Sequence, residues 1–442
     1  MRSQPNNRLS ILGLYGRSQT FTQTVFEHLE SFASYSGHDW AFLDYELLDH
    51  LSVDLNAFDA VVVHYSVRLP YDQISSFGAD KLGGYPGLKV LFIQDEYDRT
   101  GYTQSLIRRI GFGLVFSVVP SQHLEMIYPA AEFPGVVFVS NLTGYVPEGL
   151  AAQTAALPLP SKRSLMVGYR GRPLPLRYGQ LGREKVEIGR LVKEYCDVRC
   201  IPNDIAWSEE ARIYGTHWYE FLASCRAMLG SESGSNVFDW DGSLEARIGD
   251  YRRANPLASD AEVYRHVVLP QERPGLMNQI SPRLFEAIAA RTVLVLFEGT
   301  YSGVVKPGEH YIELRKDGSN LDEVFELLRD DDYVDGVAQR AYDDIIRSDT
   351  YSYRRFVKWV DELIDSSSQR VVWSGEAQNG GIQSTASRHD GVVVSKMPLR
   401  PAVPAKSFKR YLLQMLMPLR PLWRQVPEPI RDRVRPMLGK IF

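Results

Sequence analysis

The densest run of chemically useful groups in this sequence is Asn278-Gln279-Ile280-Ser281-Pro282-Arg283-Leu284-Phe285-Glu286. Ser281 suits a helix N-cap and Pro282 the first helical position, so a helix is predicted to open there. Its free N–H groups and positive dipole end, with Arg283 beside them, make an anion site that fits a diphosphate. Glu286 stands one turn in, within reach of a ribose held next to the phosphates. The plainer reading is a capped helix packed under the strand that follows. A second basic group, Gly168-Tyr169-Arg170-Gly171-Arg172, follows an apolar run. Glycine lets backbone approach a ligand closely, and arginine grips a phosphate with two parallel hydrogen bonds. Lys185, near the start of a predicted helix, is a further candidate. Two arginines near a turn are also ordinary solvated surface.

Groups that could move a proton lie earlier in the chain. His64 ends the Val61–Val63 run, and Gln94-Asp95-Glu96-Tyr97-Asp98 follows the next apolar run. A neutral imidazole or a carboxylate there could accept the proton of an attacking hydroxyl, and both alternatives stand beside solvated loop residues. Gly16 sits in a turn after the first apolar run. Ser231, Glu232 and Ser233 belong to a Gly/Ser loop after another. Asp239-x-Asp241 has the form of a divalent-cation motif, but a solvated loop is preferred and no metal is expected. Cys196, Cys200 and Cys225 have neither the partners for a zinc site nor the number for a disulfide framework.

Parallel strands are the elements that would hold these groups. Runs such as Val61-Val62-Val63 and Val90-Leu91-Phe92-Ile93 are apolar at every residue, as in strands buried on both faces. They recur with helical stretches between them, so the class is α/β: two doubly wound, Rossmann-like domains. Strands are expected over 9–15, 40–45, 60–65, 89–94, 113–119, 135–139, 165–168, 198–201, 227–230 and 292–297. Residues 1–150 form the first domain, 151–163 a linker and 164–350 the second domain. An amphipathic helix over 351–365 crosses back, a disordered linker covers 366–400, and 401–442 is a basic amphipathic tail.

The block from Asn278, its following strand, Gly299-Thr300-Tyr301-Ser302-Gly303, Pro307–Tyr311 and Leu321–Val324 resemble the donor half of GT-B glycosyltransferases of group 1 type. The nearest branch is that of spore-maturation-like proteins, and the resemblance runs over roughly residues 8–365. In that group a Glu-x7-Glu pattern places its second Glu, here Glu286, on the donor ribose. Asn278 stands where the first Glu would be. The resemblance implies a nucleotide-sugar donor and transfer to a glycan or lipid-linked acceptor in cell-surface polysaccharide synthesis, with retention of configuration. It also implies diphosphate contacts from Gly168, Arg170, Arg172, Lys185, Ser281 and Arg283, a cleft lined by Gly16, Ser231, Glu232, Ser233, Tyr301 and Ser302, and no cofactor. A GT-B-fold epimerase and a non-catalytic envelope or spore-coat protein are the alternatives.

Bulk properties set the frame. The chain has 442 residues, 44% hydrophobic and 24% charged, with a net charge of −4. That length suits two domains. The charge gives no case for nucleic acid, which is therefore not expected as a partner. Without a signal-like start or an uninterrupted apolar span, the expected location is cytoplasmic. The tail departs from this balance, with nine Lys and Arg against Glu428 and Asp432. Such basic segments with Trp423 and several Leu suit the inner face of an anionic membrane, or alternatively packing on protein.

Overall fold

A computed structural model describes residues 8–49, 53–213, 215–376 and 394–400. The apolar runs form two parallel sheets, each flanked by helices. The first holds β1 (Ser10–Tyr15), β2 (Asp39–Asp44), β3 (Ala60–Val63), β4 (Leu88–Phe92), β5 (Leu114–Ser117) and β6 (Val137–Ser140), in the order β2-β1-β3-β4-β5-β6. The second holds β7 (Leu165–Arg170), β8 (Asn203–Ala206), β9 (Cys225–Gly230), β10 (Val293–Phe297) and β11 (Tyr311–Leu314), in the order β11-β10-β9-β7-β8. Both sheets wind alike: the second strand lies on one side of the first, and the third lies on the other. Winding therefore reverses between β1 and β3 and again between β7 and β9. Loops leaving the carboxyl ends of strands at such reversals diverge and open a crevice.

One expected strand is corrected. Val198–Ile201 does not extend; helix Gly179–Val198 runs into it, and the strand sits at Asn203–Ala206. Val198 is 75% exposed, whereas only Ile205 of β8 is buried. An edge strand needs no continuous apolar run, so its hydrophobic signal is weak.

The stretch expected as a linker carries helix Leu150–Thr154 and the buried Arg163. Helix Tyr353–Glu376 returns to the first domain, where Phe356, Val357, Val360 and Ile364 pack with Ile11, Phe32 and Phe92. It continues past residue 365, into the stretch expected to be disordered. Residues 394–400 also lie on the first domain: Ser395 bridges Phe42, and the Leu399 N–H donates to the Tyr15 hydroxyl at 3.0 Å. The basic tail over 401–442 lies outside the described residues. Among the described residues no helix is long and apolar enough to cross a membrane.

Candidate functional site

A cleft of about 790 Å³ opens between the two domains where both winding reversals face each other. After β1 the chain turns at Gly16, whose N–H donates to Ser66 Oγ at 2.9 Å. A Cβ on Gly16 would lie 2.6 Å from the Ser66 carbonyl oxygen, so only glycine lets these loops touch. The loop after β3 brings Ser66 and Arg68 to the cleft, and the loop after β4 brings Gln94, Asp95 and Tyr97. Across from them the loop after β7 supplies Gly171, Arg172, Arg177 and Tyr178. The loop after β9 supplies Ser231, Ser233 and Gly234.

Cations converge on the second-domain wall. Lys185 Nζ donates to the Glu232 carbonyl and to Ser233 Oγ, each at 3.1 Å. Burial, then the nearby Arg283, lowers its pKa to about 8. Arg283 donates to the Arg170 carbonyl at 2.9 Å and lies over the Trp218 ring. Arg172 is exposed at the rim. Among the described residues none of these three forms an ion pair within 4 Å, although Glu184 and Glu232 lie near Lys185 and Glu286 lies near Arg283. Helix Pro282–Ala289 opens into the same wall. Ser281 is its N-cap residue, but its side chain makes no capping bond, contrary to the expected cap, and Ser281 lines the cleft. Ser231 Oγ is buried without a hydrogen-bond partner. An unmatched hydroxyl, an uncapped helix end and three unpaired cations together suit a phosphate group.

Arg170 lines the cleft, but its guanidinium is turned to Asp204 at 2.7 Å and stacked on Phe221. Its charge is already matched. Glu286 lies beneath the cleft wall and accepts from Trp218 Nε1 at 2.6 Å; burial raises its pKa to about 7. Trp218 itself lines the cleft.

Several expected site residues do not face this space. His64 is buried, with Nδ1 on Ser66 Oγ at 2.8 Å and Nε2 on His28 Nδ1 at 2.9 Å. Burial pushes its pKa well below the usual value, so it is neutral and enclosed rather than a cleft base. Glu96 points into the first-domain core, where Oε1 accepts from Ser117 Oγ and the Val118 N–H. Gly168 packs on Phe221 and Cys225, where a Cβ would clash. Glu232 is buried: Oε1 accepts from the N–H groups of Thr300 and Tyr301 at 3.0 and 2.8 Å, and Oε2 accepts from Asn278 Nδ2. The Asn278 position, where the resemblance has a Glu, is thus a partner of a buried carboxylate. Tyr301 is in the core, its hydroxyl on the Phe297 carbonyl at 2.6 Å. Ser302 Oγ bridges the Ile280 N–H and Gln279 Oε1, and so shapes the loop ahead of Ser281. Asp239 and Asp241 accept hydrogen bonds from the N–H groups of Leu244 and Ser243, at the start of helix Leu244–Ala254. Asp95 is the expected proton acceptor that does line the cleft.

Glu96 gives a stability test. Its pKa is raised to about 7 by burial, above the 4.5 of an ordinary glutamate, so the folded state holds the proton more tightly. Stability should then fall as pH rises from about 4.5 to about 7 and level off above. Melting curves across that range are expected to show a smaller fall for Glu96→Gln than for the native chain.

No protein-family model and no curated protein sequence matches the chain. Solved structures do. An alpha-glucosyltransferase in complex with UDP-glucose and DNA containing an abasic site superposes with a TM-score of 0.51 at 10% identity. It covers 81% of this chain and 100% of that chain. The alpha-glucosyltransferase with UDP and a 13-mer DNA containing an HMU base gives 0.50 at 10% identity, over 81% and 99%. This is the GT-B fold. Its two Rossmann-like domains meet at the cleft described above. One expectation is corrected by the comparison: the exclusion of nucleic acid on net charge. The GT-B neighbours include a glucosyltransferase solved with DNA, so a charge of −4 summed over the chain excludes no acceptor of that class. A net sum says nothing about the local field of a cleft.

Arg68, Tyr71, Arg177, Tyr178 and Trp218 line the GT-B cleft and were missed by sequence reasoning. Arg177 and Tyr178 lie only a few residues beyond Arg172, in the loop after a domain's first strand, so their position was a usable signal. Trp218 carried none, because an apolar residue on a helix reads as core.

Proposed function

We propose that this chain is a glycosyltransferase that takes a sugar from a nucleotide-sugar donor. The observation that supports this best is the set of unpaired cations, Arg172, Lys185 and Arg283, around an uncapped helix start in an interdomain cleft. In this reading they hold the donor diphosphate and stabilise its charge as the sugar leaves. Glu286 takes ribose hydroxyls, and Asp95 accepts a hydrogen bond, then a proton, from the attacking hydroxyl. UDP-glucose, the donor bound by a GT-B neighbour, is the first to test. A glycan or lipid-linked acceptor of cell-surface polysaccharide synthesis, a retained anomeric configuration and membership of the spore-maturation-like branch follow from the resemblance and belong to the same proposal. Transfer is tested by incubating UDP-glucose with acceptor mixtures and following UDP release and product mass. No binding of any nucleoside diphosphate in a thermal-shift screen would sink the reading.

Three further results are expected. Glu286→Ala should weaken nucleoside diphosphate binding at least about ten-fold while the chain still folds, with a modest fall in melting temperature from the unmatched Trp218 Nε1. Since ribose hydroxyls donate best to an ionised carboxylate, donor affinity of the native chain should rise as pH passes upward through about 7. Catalysis should also need no divalent metal, because lysine, arginine and a helix end supply the positive charge. Full turnover in excess chelator is the expected outcome; loss restored by manganese would refute it.

A further inference from the structure

Three segments of the second-domain wall meet on one buried carboxylate. Glu232 stands between Ser231 and Ser233, which line the cleft, and its side chain turns the other way. Oε1 accepts from Thr300 Oγ1 and from the N–H groups of Thr300 and Tyr301 at 2.8–3.0 Å, in the loop after β10. Oε2 accepts from Asn278 Nδ2, in the segment that enters helix Pro282–Ala289. The Glu232 carbonyl accepts from Lys185 Nζ at 3.1 Å. Tyr301 and Ser302 have φ of +47° and +55°, a conformation that residues with a side chain keep only where their surroundings hold it. A carboxylate on the N–H groups entering that turn is such a hold. A Cβ on Gly299 would lie 2.8 Å from the Glu232 carboxylate, so glycine alone permits the approach. Ser302 Oγ then accepts from the Ile280 N–H at 3.1 Å and donates to Gln279 Oε1, just ahead of Ser281. Ser233 and Gln279 exchange backbone hydrogen bonds at 2.7 and 2.9 Å, which join the same segments.

We infer that Glu232 is the positioning residue of the donor wall: from inside the domain it fixes Ser231, Lys185 and the helix start at Ser281 relative to one another. The inference rests on the donor reading and adds a residue that does not line the cleft. Ser231 follows β9, Lys185 lies on helix Gly179–Val198, and Ser281 precedes another helix, so no single element sets their spacing. Groups that stabilise a developing charge lose much of their effect when displaced by about 1 Å. A carboxylate suits this task because both its oxygens accept, and charge-assisted hydrogen bonds are the strong ones. An amide of the same shape accepts on one side only. The negative charge of Glu232 also acts with Glu184 against Arg283, keeping Lys185 closer to its charged form.

The test is a pair exchange in the full chain. Glu232→Gln keeps the volume and the Oε1 acceptor but sets an amide donor against Asn278 Nδ2. Adding Asn278→Asp restores every hydrogen bond, because the new carboxylate accepts from that amide and from Asn236 Nδ2, which already donates to Asn278 Oδ1 at 2.7 Å. The readouts are UDP binding by calorimetry, UDP release from UDP-glucose, and NMR titration of the Lys185 ammonium in the free protein. Glu232→Gln should lower kcat at least about ten-fold with the donor KM within about three-fold of native. It should also move the Lys185 titration below about 8. The double variant should recover kcat to within about three-fold and move the titration back up. Native kcat with an unmoved titration in Glu232→Gln would overturn the inference, as would a double variant that recovers neither. A loss that only follows the melting temperature, with the titration unmoved, would make Glu232 an ordinary core residue and overturn it too. Should Glu232→Gln not fold, recovery in the double variant decides. If the native chain binds no UDP, the donor reading fails instead, and the Lys185 titration still scores whether Glu232 governs that cation.

Discussion

Lys185→Met is expected to lower the rate of sugar transfer by about a hundred- to a thousand-fold while leaving the melting temperature close to that of the native chain. A preorganised cation beside a developing negative charge in a closed cleft is worth roughly 3–4 kcal/mol of transition-state stabilisation. In the proposed function Lys185 takes that part, with its Nζ fixed by the Glu232 carbonyl and Ser233 Oγ at the mouth of the loop after β9. Its lowered pKa adds a second readout. Burial and Arg283 both disfavour the charged form and bring it to about 8. The free enzyme should therefore lose activity as pH rises through about 8, whereas Glu286 makes it gain activity through about 7. The profile of kcat/KM should be a narrow bell between them, and Lys185→Met should remove its alkaline limb. A variant with native turnover would mean that the diphosphate is held elsewhere.

The second large effect concerns the fold. Arg163→Met should destabilise the second domain by about 3 kcal/mol or more, a fall of roughly 6–12 °C in its melting temperature. The Arg163 guanidinium is buried and donates to the carbonyls of Pro158, Leu222, Cys225 and Ala290 and to Thr292 Oγ1, at 2.6–3.0 Å. It ties the segment entering β7 to the strand and helix ends next to it. Methionine fills much of the volume but leaves those acceptors unmatched, and each buried unmatched group costs about 1–3 kcal/mol. Calorimetry resolving the two domains would check it. A variant that melts with the native chain would show that water replaces the guanidinium at small cost.

The two-sheet architecture was legible because burial on both faces writes itself into sequence as unbroken apolar runs. Val61–Val63, Val90–Phe92 and Val293–Phe297 could be little else. The edge strand Asn203–Ala206 escaped for the converse reason, since one open side removes the signal. Within the cleft, Ser281 and Arg283 could be read from helix-start chemistry, and Arg172, Lys185, Ser231 and Ser233 from the family resemblance. His64 and Glu96 could not be placed. Each follows the right strand, but Glu96 turns inward where its neighbour Asp95 turns to the cleft, and His64 is held inward by His28 and Ser66.

Sequence alone determined the fold class, the strands that carry the loops and the helix start that opens into the cleft, because these depend on local burial pattern and backbone chemistry. Only the tertiary structure decided which charges remain free. Arg170 and Arg172 are two residues apart and chemically identical, yet Asp204, from the neighbouring strand, neutralises the first and nothing described pairs with the second. Arg68 is matched by Asp95 and Asp98 across a loop, and Arg177 meets Asp98 across the domain boundary. Such pairings join residues distant in sequence, so no local spacing records them. They form only when two sheets bring their winding reversals face to face.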